Sequence, residues 1–188
     1  AEYFQHRLPL DGSQMTRLAG RITDGVLINM ANPTEIRRIA AEVRAGAESA
    51  GKDPATMEIF CKIRCSIAPR YDVARDALSH ALTYYALAAY YRDLLGRMGF
   101  ASEVEAMRGA WKSGGFHAAR KLITDRMFSG LPMVAATSAA EVVEQIKPYA
   151  EAGATRIILP YVAASDDIVG ELTNFINYWS PASTGAIG

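Results

Sequence analysis

The feature that most constrains how this chain can fold is the regular alternation of short apolar runs with amphipathic helical stretches. Val26-Leu27-Ile28 is a continuous apolar run, as a strand buried on both faces of a parallel sheet requires. In residues 57–68, Ile59, Cys61, Ile63, Cys65 and Ile67 alternate with Glu58, Phe60, Lys62, Arg64 and Ser66. That period of two is a strand signature. Residues 131–136 and 155–162 add two more strands, the last a buried one built on Arg156-Ile157-Ile158-Leu159-Pro160-Tyr161. Helical spacing fills the intervals at 13–21, after Asn32, at 71–98 in one or two pieces, at 102–112, at 116–125, after Ser138 and at 166–179. Strands alternating with helices predict right-handed βαβ units and a parallel sheet, an α/β fold. The helical block at about 70–129 interrupts the alternation and reads as an insertion in a single domain spanning residues 1–188.

Local punctuation supports these bounds. Asn32-Pro33-Thr34-Glu35 reads as a helix start, with Asn32 as cap, Pro33 in the first turn and Glu35 where a capping box places its acid. Ile36, Ile39, Ala40, Val43 and Ala47 then mark its buried face, and Gly51 ends it. Ser138 and Glu141 form a second capping box, ahead of a helix whose core side carries Val142, Val143, Ile146 and Tyr149. Ser102 is a further candidate cap. In the tyrosine pairs Tyr84-Tyr85 and Tyr90-Tyr91, adjacent helical residues cannot share a face, so each pair divides between core and another surface.

Composition narrows the partners. The 20 basic and 20 acidic residues cancel, which argues against a nucleic-acid-binding chain. No apolar run approaches the roughly 20 residues of a membrane helix. Cys61 and Cys65 are too few for a disulfide framework and read as reduced thiols of a cytoplasmic protein. His6, His80 and His117 show no metal-ligand spacing, so no metal is expected.

In parallel α/β folds, the loops that follow the C-terminal ends of strands carry function. Asp11-Gly12-Ser13-Gln14 runs directly into a helix, where glycine permits close backbone approach and free amides attract phosphate. A plain helix cap explains the same residues. Asn29, Met30 and Asn32 follow the first strand. Asn29 offers an amide to a ring or phosphate, or satisfies loop backbone, and Asn32 offers either a ligand contact or the cap of the next helix.

The stretch Gly12-Ser13-Gln14-Met15-Thr16-Arg17-Leu18-Ala19-Gly20-Arg21-Ile22-Thr23-Asp24-Gly25-Val26-Leu27-Ile28-Asn29 resembles the bacterial luciferase-like flavin and deazaflavin oxidoreductases. Members show Gly-Pro-x-Met, then Leu-Ala-Gly, then Ala-Asp-Gly and an apolar strand. The version ending in Gly-Val-Leu-Ile-Asn is most similar to the methylenetetrahydromethanopterin reductases. Ala50-Gly51-Lys52-Asp53-Pro54, the Tyr91 to Phe100 stretch, the helix start at Ser138 to Val143 and Ala150-Glu151-Ala152-Gly153-Ala154 resemble further family motifs in the same order.

The resemblance implies the C-terminal half of a (β/α)₈ TIM barrel with an inserted helical segment. It implies an oxidoreductase passing a hydride between coenzyme F420 and a small organic substrate such as methylenetetrahydromethanopterin. FMN is the alternative cofactor, in a luciferase-like monooxygenase. A non-catalytic flavin-binding or assembly protein with an eroded barrel is the third reading. Gly12, Ser13, Gln14 and Asn29 become the expected cofactor contacts, with Met30 and Asn32 facing substrate. Ser13 stands where the family has proline, which frees an amide and loses a stiff turn. The residues that cradle the ring and donate protons belong to strands expected before Leu10, so no catalytic residue carries over. A half barrel leaves unpaired sheet edges and an open apolar face, hence an expected homo-oligomer or a missing N-terminal half.

Overall fold

A computed structural model describes residues 13–179 of the chain. The fold is α/β, with parallel strands and eight helices among the described residues. Helix α1 (Ser13–Ile22) leads through Thr23 and Asp24 into strand β1 (Gly25–Asn29). Helix α2 (Pro33–Ser49) follows and returns the chain to strand β2 (Glu58–Lys62). The Asn32 side chain accepts the Glu35 amide at 2.9 Å and caps α2. The capping box does not close, because the Glu35 carboxylate turns to Arg38, which also holds Glu42. The buried residues of α2 include all five named from spacing, together with Gly46.

The alternating run at 57–68 is one line of chain that serves two sheets. After β2 it passes through Ile63 into β3 (Arg64–Ile67). Strand β2 lies between β1 and β5 (Arg156–Ile158), all parallel, with Ile28 opposite Cys61, Asn29 opposite Lys62, and Lys62 opposite Ile158. Strand β3 pairs instead with β4 (Met133–Ala136). The 131–136 run is therefore a strand as expected, but it extends the far end of the central line and does not enter the three-stranded sheet. The expectation of a buried strand at 155–162 is corrected. Strand β5 has three residues at the sheet edge, and Ile158 is 39% exposed. Beyond it, only an isolated bridge joins Tyr161 to Cys65.

Two cores flank this sheet. On one face Ile59, Cys61, Ile63 and Cys65 pack against Ile36, Ile39 and Val43 of α2 and against Val142 and Tyr149 of helix α7 (Ala139–Glu151). Ser138 caps α7 by accepting the Glu141 amide, while the Glu141 carboxylate binds the Thr137 amide and hydroxyl. The second core gathers Met30, Leu78, Leu82, Val104, Met107, Met127 and Met133 beneath a helical block. That block comprises α3 (Tyr71–Leu87), α4 (Ala89–Arg97), α5 (Ala101–Arg120) and α6 (Asp125–Gly130).

The stretch 71–98 does divide in two, at extended Ala88. The helices expected at 102–112 and 116–125 are joined as α5 across a kink at Gly115, whose φ of 74° is left-handed. Ser102 does not cap α5; its hydroxyl donates to the neighbouring Glu103 carboxylate. The chain ends its described course in α8 (Ile168–Tyr178), capped by Asp167.

The closest helix contact is between α1 and α2. A Cβ added to Gly20 would fall 2.0 Å from the Val43 carbonyl oxygen, and one added to Gly46 would fall 2.1 Å from that of Arg17. Both glycines let backbone meet backbone, as close helix packing demands.

Candidate functional site

Parallel pairing fixes which side chains share a face. Ile28, Ile59, Cys61, Ile63 and Cys65 all point to the α2–α7 core. Alternation then puts Asn29, Lys62 and Arg64 on the opposite face, Asn29 and Lys62 as the last residues of β1 and β2 and Arg64 as the first of β3. Ligands of parallel α/β folds bind at the C-terminal ends of strands, where Asn29 stands.

Here the strand ends meet the junction of α3 and α4. The Asn29 side-chain amide donates to the Tyr91 hydroxyl at 2.8 Å. The Arg64 guanidinium carbon lies 4.6 Å from the centre of the Tyr85 ring. Tyr85 and Tyr91 meet edge to face with centres 4.8 Å apart, and Tyr91 meets Tyr90 in the same way at 5.0 Å. Because α3 stops at Leu87 and α4 starts at Ala89, the bend at Ala88 turns Tyr85 and Tyr91 toward each other. Each tyrosine pair divides as the spacing predicts: Tyr85 and Tyr91 are half-buried, Tyr84 and Tyr90 exposed.

The cluster holds one shifted phenol and one unpartnered oxygen. Burial pushes the Tyr91 phenol up, with the Asn29 amide opposing, so Tyr91 keeps its proton at neutral pH. Its oxygen already accepts from Asn29, which leaves its own O–H to donate elsewhere. The Asn29 Oδ1 atom is buried and has no partner among the described residues. A buried carbonyl oxygen without a donor is a costly arrangement unless a ligand or water completes it. Met30, next in sequence, is fully buried and sits at φ 60°, a conformation uncommon for a side chain of its size. Such strain is found where a surrounding site over-determines the backbone.

The residues named from sequence are therefore only partly assembled. Asn29 and Met30 stand at the strand end. Met30 points into the core beneath the helical block and offers no exposed surface. Asn32 is engaged as the cap of α2. Ser13 and Gln14 open α1, with Gln14 exposed, and no described hydrogen bond joins Gln14 to Asn29, Met30 or Asn32. Gly12 lies outside the described residues. Sequence reading singled out the pairs holding Tyr85 and Tyr91 without placing them at a site, and passed over Lys62 and Arg64 as site residues. The available signal was two cations in the middle of the polar face of the 57–68 run, where ordinary alternation asks only for something hydrophilic.

A second polar cluster sits at the C-terminal end of β3, where Tyr161 bridges Cys65 and its hydroxyl donates to the Ile67 carbonyl. Glu171 of α8 accepts from the Tyr161 hydroxyl, the Ala164 amide and the Ser165 hydroxyl. Burial pushes this carboxyl up, but those hydrogen bonds outweigh it and hold it below the ordinary range. Every bond it makes fastens the 161–165 loop to α8, which is a structural task.

Comparison with known proteins adds the family context. The family model described as luciferase-like monooxygenase matches residues 11–156. The 5,10-methylenetetrahydromethanopterin reductase of Archaeoglobus fulgidus is 27% identical over 157 residues, covering 78% of this chain and 45% of the relative. That of Methanolobus tindarius is 30% identical over 118 residues, covering 62% and 36%. Among solved structures, the coenzyme F420-dependent tetrahydromethanopterin reductase from Methanopyrus kandleri aligns with a TM-score of 0.67 at 24% identity, over 81% of this chain and 42% of that one. An F420-dependent secondary alcohol dehydrogenase in complex with an F420–acetone adduct aligns with a TM-score of 0.61 at 24% identity, over 92% and 46%. These structural likenesses show the fold. The chain spans less than half the length of the relatives it matches.

Proposed function

Because the chain belongs to the luciferase-like monooxygenase family, we propose that it contributes the C-terminal half of a (β/α)₈ barrel to a coenzyme F420-dependent oxidoreductase of the reductase type. The residues 1–188 form one domain in this reading, and the helical block is an insertion that covers the strand ends. The observation that carries it is the cluster at the C-terminal end of β1 and the adjoining β2–β3 junction: the unpartnered Asn29 oxygen, the Tyr91 hydroxyl and the Arg64–Tyr85 stack.

That donor set fits a deazaflavin or flavin, whose ring edge presents both N–H and C=O groups. When bound, such a cofactor supplies the hydride chemistry, and the protein supplies position, charge and shelter. Asn29 would meet the ring edge. Gly12, Ser13 and Gln14 would hold the phosphate at the opening of α1. Met30 supports the strand end from the core side, and Asn32 sets where α2 begins beside the pocket. The reductase relatives support a small substrate such as methylenetetrahydromethanopterin, and the two free thiols support a cytoplasmic setting. The open sheet face and the shared length with relatives support pairing with a second copy or with a chain supplying the other barrel half.

Fluorescence titration of the purified chain with oxidised coenzyme F420, and separately with FMN, tests this reading. Binding of F420 at micromolar levels, at least about tenfold tighter than FMN, is expected. Tighter FMN binding would favour a monooxygenase. Failure of both would sink the enzyme reading and leave an assembly or binding role.

A further inference from the structure

Arg64 is half-buried, and its guanidinium has no carboxylate within ion-pair distance among the described residues. That separates it from Arg38, Arg75, Arg120 and Arg126, each of which holds an acidic side chain. Its described side-chain contact is the face of Tyr85. The ring offsets part of the cost of withdrawing the charge from water, and it fixes the plane of the guanidinium. It satisfies none of the five N–H donors, which are arranged to grip a carboxylate or phosphate in bidentate fashion.

Lys62 lies two residues earlier on the same face and likewise lacks a carboxylate partner among the described residues. Opposite Lys62 stands Asn29, bonded to Tyr91. Two cations and a phenolic donor thus share one face where β1 ends beside the β2–β3 junction. Among the acidic side chains of the helical block, Asp72, Asp76 and Asp125 pair with Arg70, Arg120 and Arg75, Asp93 with Arg92, and Glu103 with Arg126.

We propose that Arg64, oriented by Tyr85 and supported by Lys62, binds an anionic group, a phosphate or carboxylate, of a ligand seated where β1 ends beside the β2–β3 junction. The assignment rests on the functional reading above for the ligand's identity, but not for the existence of the anion site. Two sources share this chemistry: an anionic group on the cofactor, or one on the substrate.

The first experiment uses inorganic phosphate as the probe. Thermal unfolding of the chain is compared in about 50 mM phosphate and in chloride of equal ionic strength, because a ligand of the folded state raises its melting temperature. Phosphate is expected to raise the melting temperature of the parent chain. It should fail to do so in Arg64→Gln, and should retain its effect in Arg37→Gln, which removes an exposed arginine on α2. Near-UV circular dichroism shows whether Arg64→Gln is folded. If it is not, Arg64→Lys, which keeps the charge and loses the fork, is expected to give a reduced shift. An equal phosphate shift in the parent and in every folded Arg64 variant overturns the proposal.

Titration with F420 then separates the sources. A rise of about tenfold or more in Kd in Arg64→Gln assigns the anion to the cofactor. An unchanged Kd, with the phosphate effect lost, assigns it to the substrate. If the parent chain shows the Arg64-dependent phosphate effect yet binds no F420, the anion site stands and the F420 reading fails.

Discussion

Single residues in this chain carry two kinds of information that composition conceals. Cys61 and Cys65, read from sequence as reduced thiols, are free, buried and packed among isoleucines. Burial pushes both thiols up to about 12. They are held neutral in the folded state and released on unfolding, where a thiol titrates near 9. The folded pKa is the higher one, so this contribution to stability is complete below pH 9 and is lost as pH rises from 9 toward 12. Urea midpoints are therefore expected to hold steady from pH 7 to about 8.5 and to fall at about pH 10. Replacing both cysteines with alanine should flatten that fall. A midpoint in the parent chain that does not move at about pH 10 would show that the thiols are not sequestered.

At the scale of elements, the legible features were those decided by neighbours in sequence. The buried face of α2 follows from residues three and four apart, and its start follows from Asn32 and Pro33. Strand β5 was misread because its apolar run says nothing of what covers it, and three residues at an edge stay open. The candidate site was legible at Asn29 and invisible at Tyr91, its partner 62 residues away, because a helix break at Ala88 brings them together. Likewise Gly20 and Gly46 carry no local turn signal; their need for glycine exists only where α1 crosses α2. Gly46→Ala is expected to cost about 2 kcal/mol or more, since a backbone carbonyl must be displaced to admit the methyl group. Gly109→Ala, on α5 with open space around the new Cβ, is expected to stabilise by about 0.5–1 kcal/mol through helix propensity. Urea unfolding of the two variants checks the contrast, and equal effects would remove the close-contact account of the α1–α2 crossing.

The whole molecule shows apolar surface where a larger assembly would need it. Val169 and Ile176 on α8 are 76% and 63% exposed, and Ile158 stands open on the sheet face shared with Lys62. No described helix is long and apolar enough to cross a membrane. Surfaces of this kind favour association. Sedimentation velocity of the chain alone is expected to show self-association that grows with concentration; a monomer at every concentration would leave a separate partner chain as the occupant.

The central claim is that ligand binds at the C-terminal end of β1 and the adjoining β2–β3 junction, beneath the α3–α4 junction. Amide and side-chain chemical shifts of the isotopically labelled chain, followed through a titration with oxidised coenzyme F420, test it most directly. The largest shifts are expected at Asn29, Lys62, Arg64, Tyr85 and Tyr91, with α8 and the Glu171 cluster unmoved. Shifts concentrated on α8 or around Glu171, with Asn29 and Arg64 unchanged, would contradict the account.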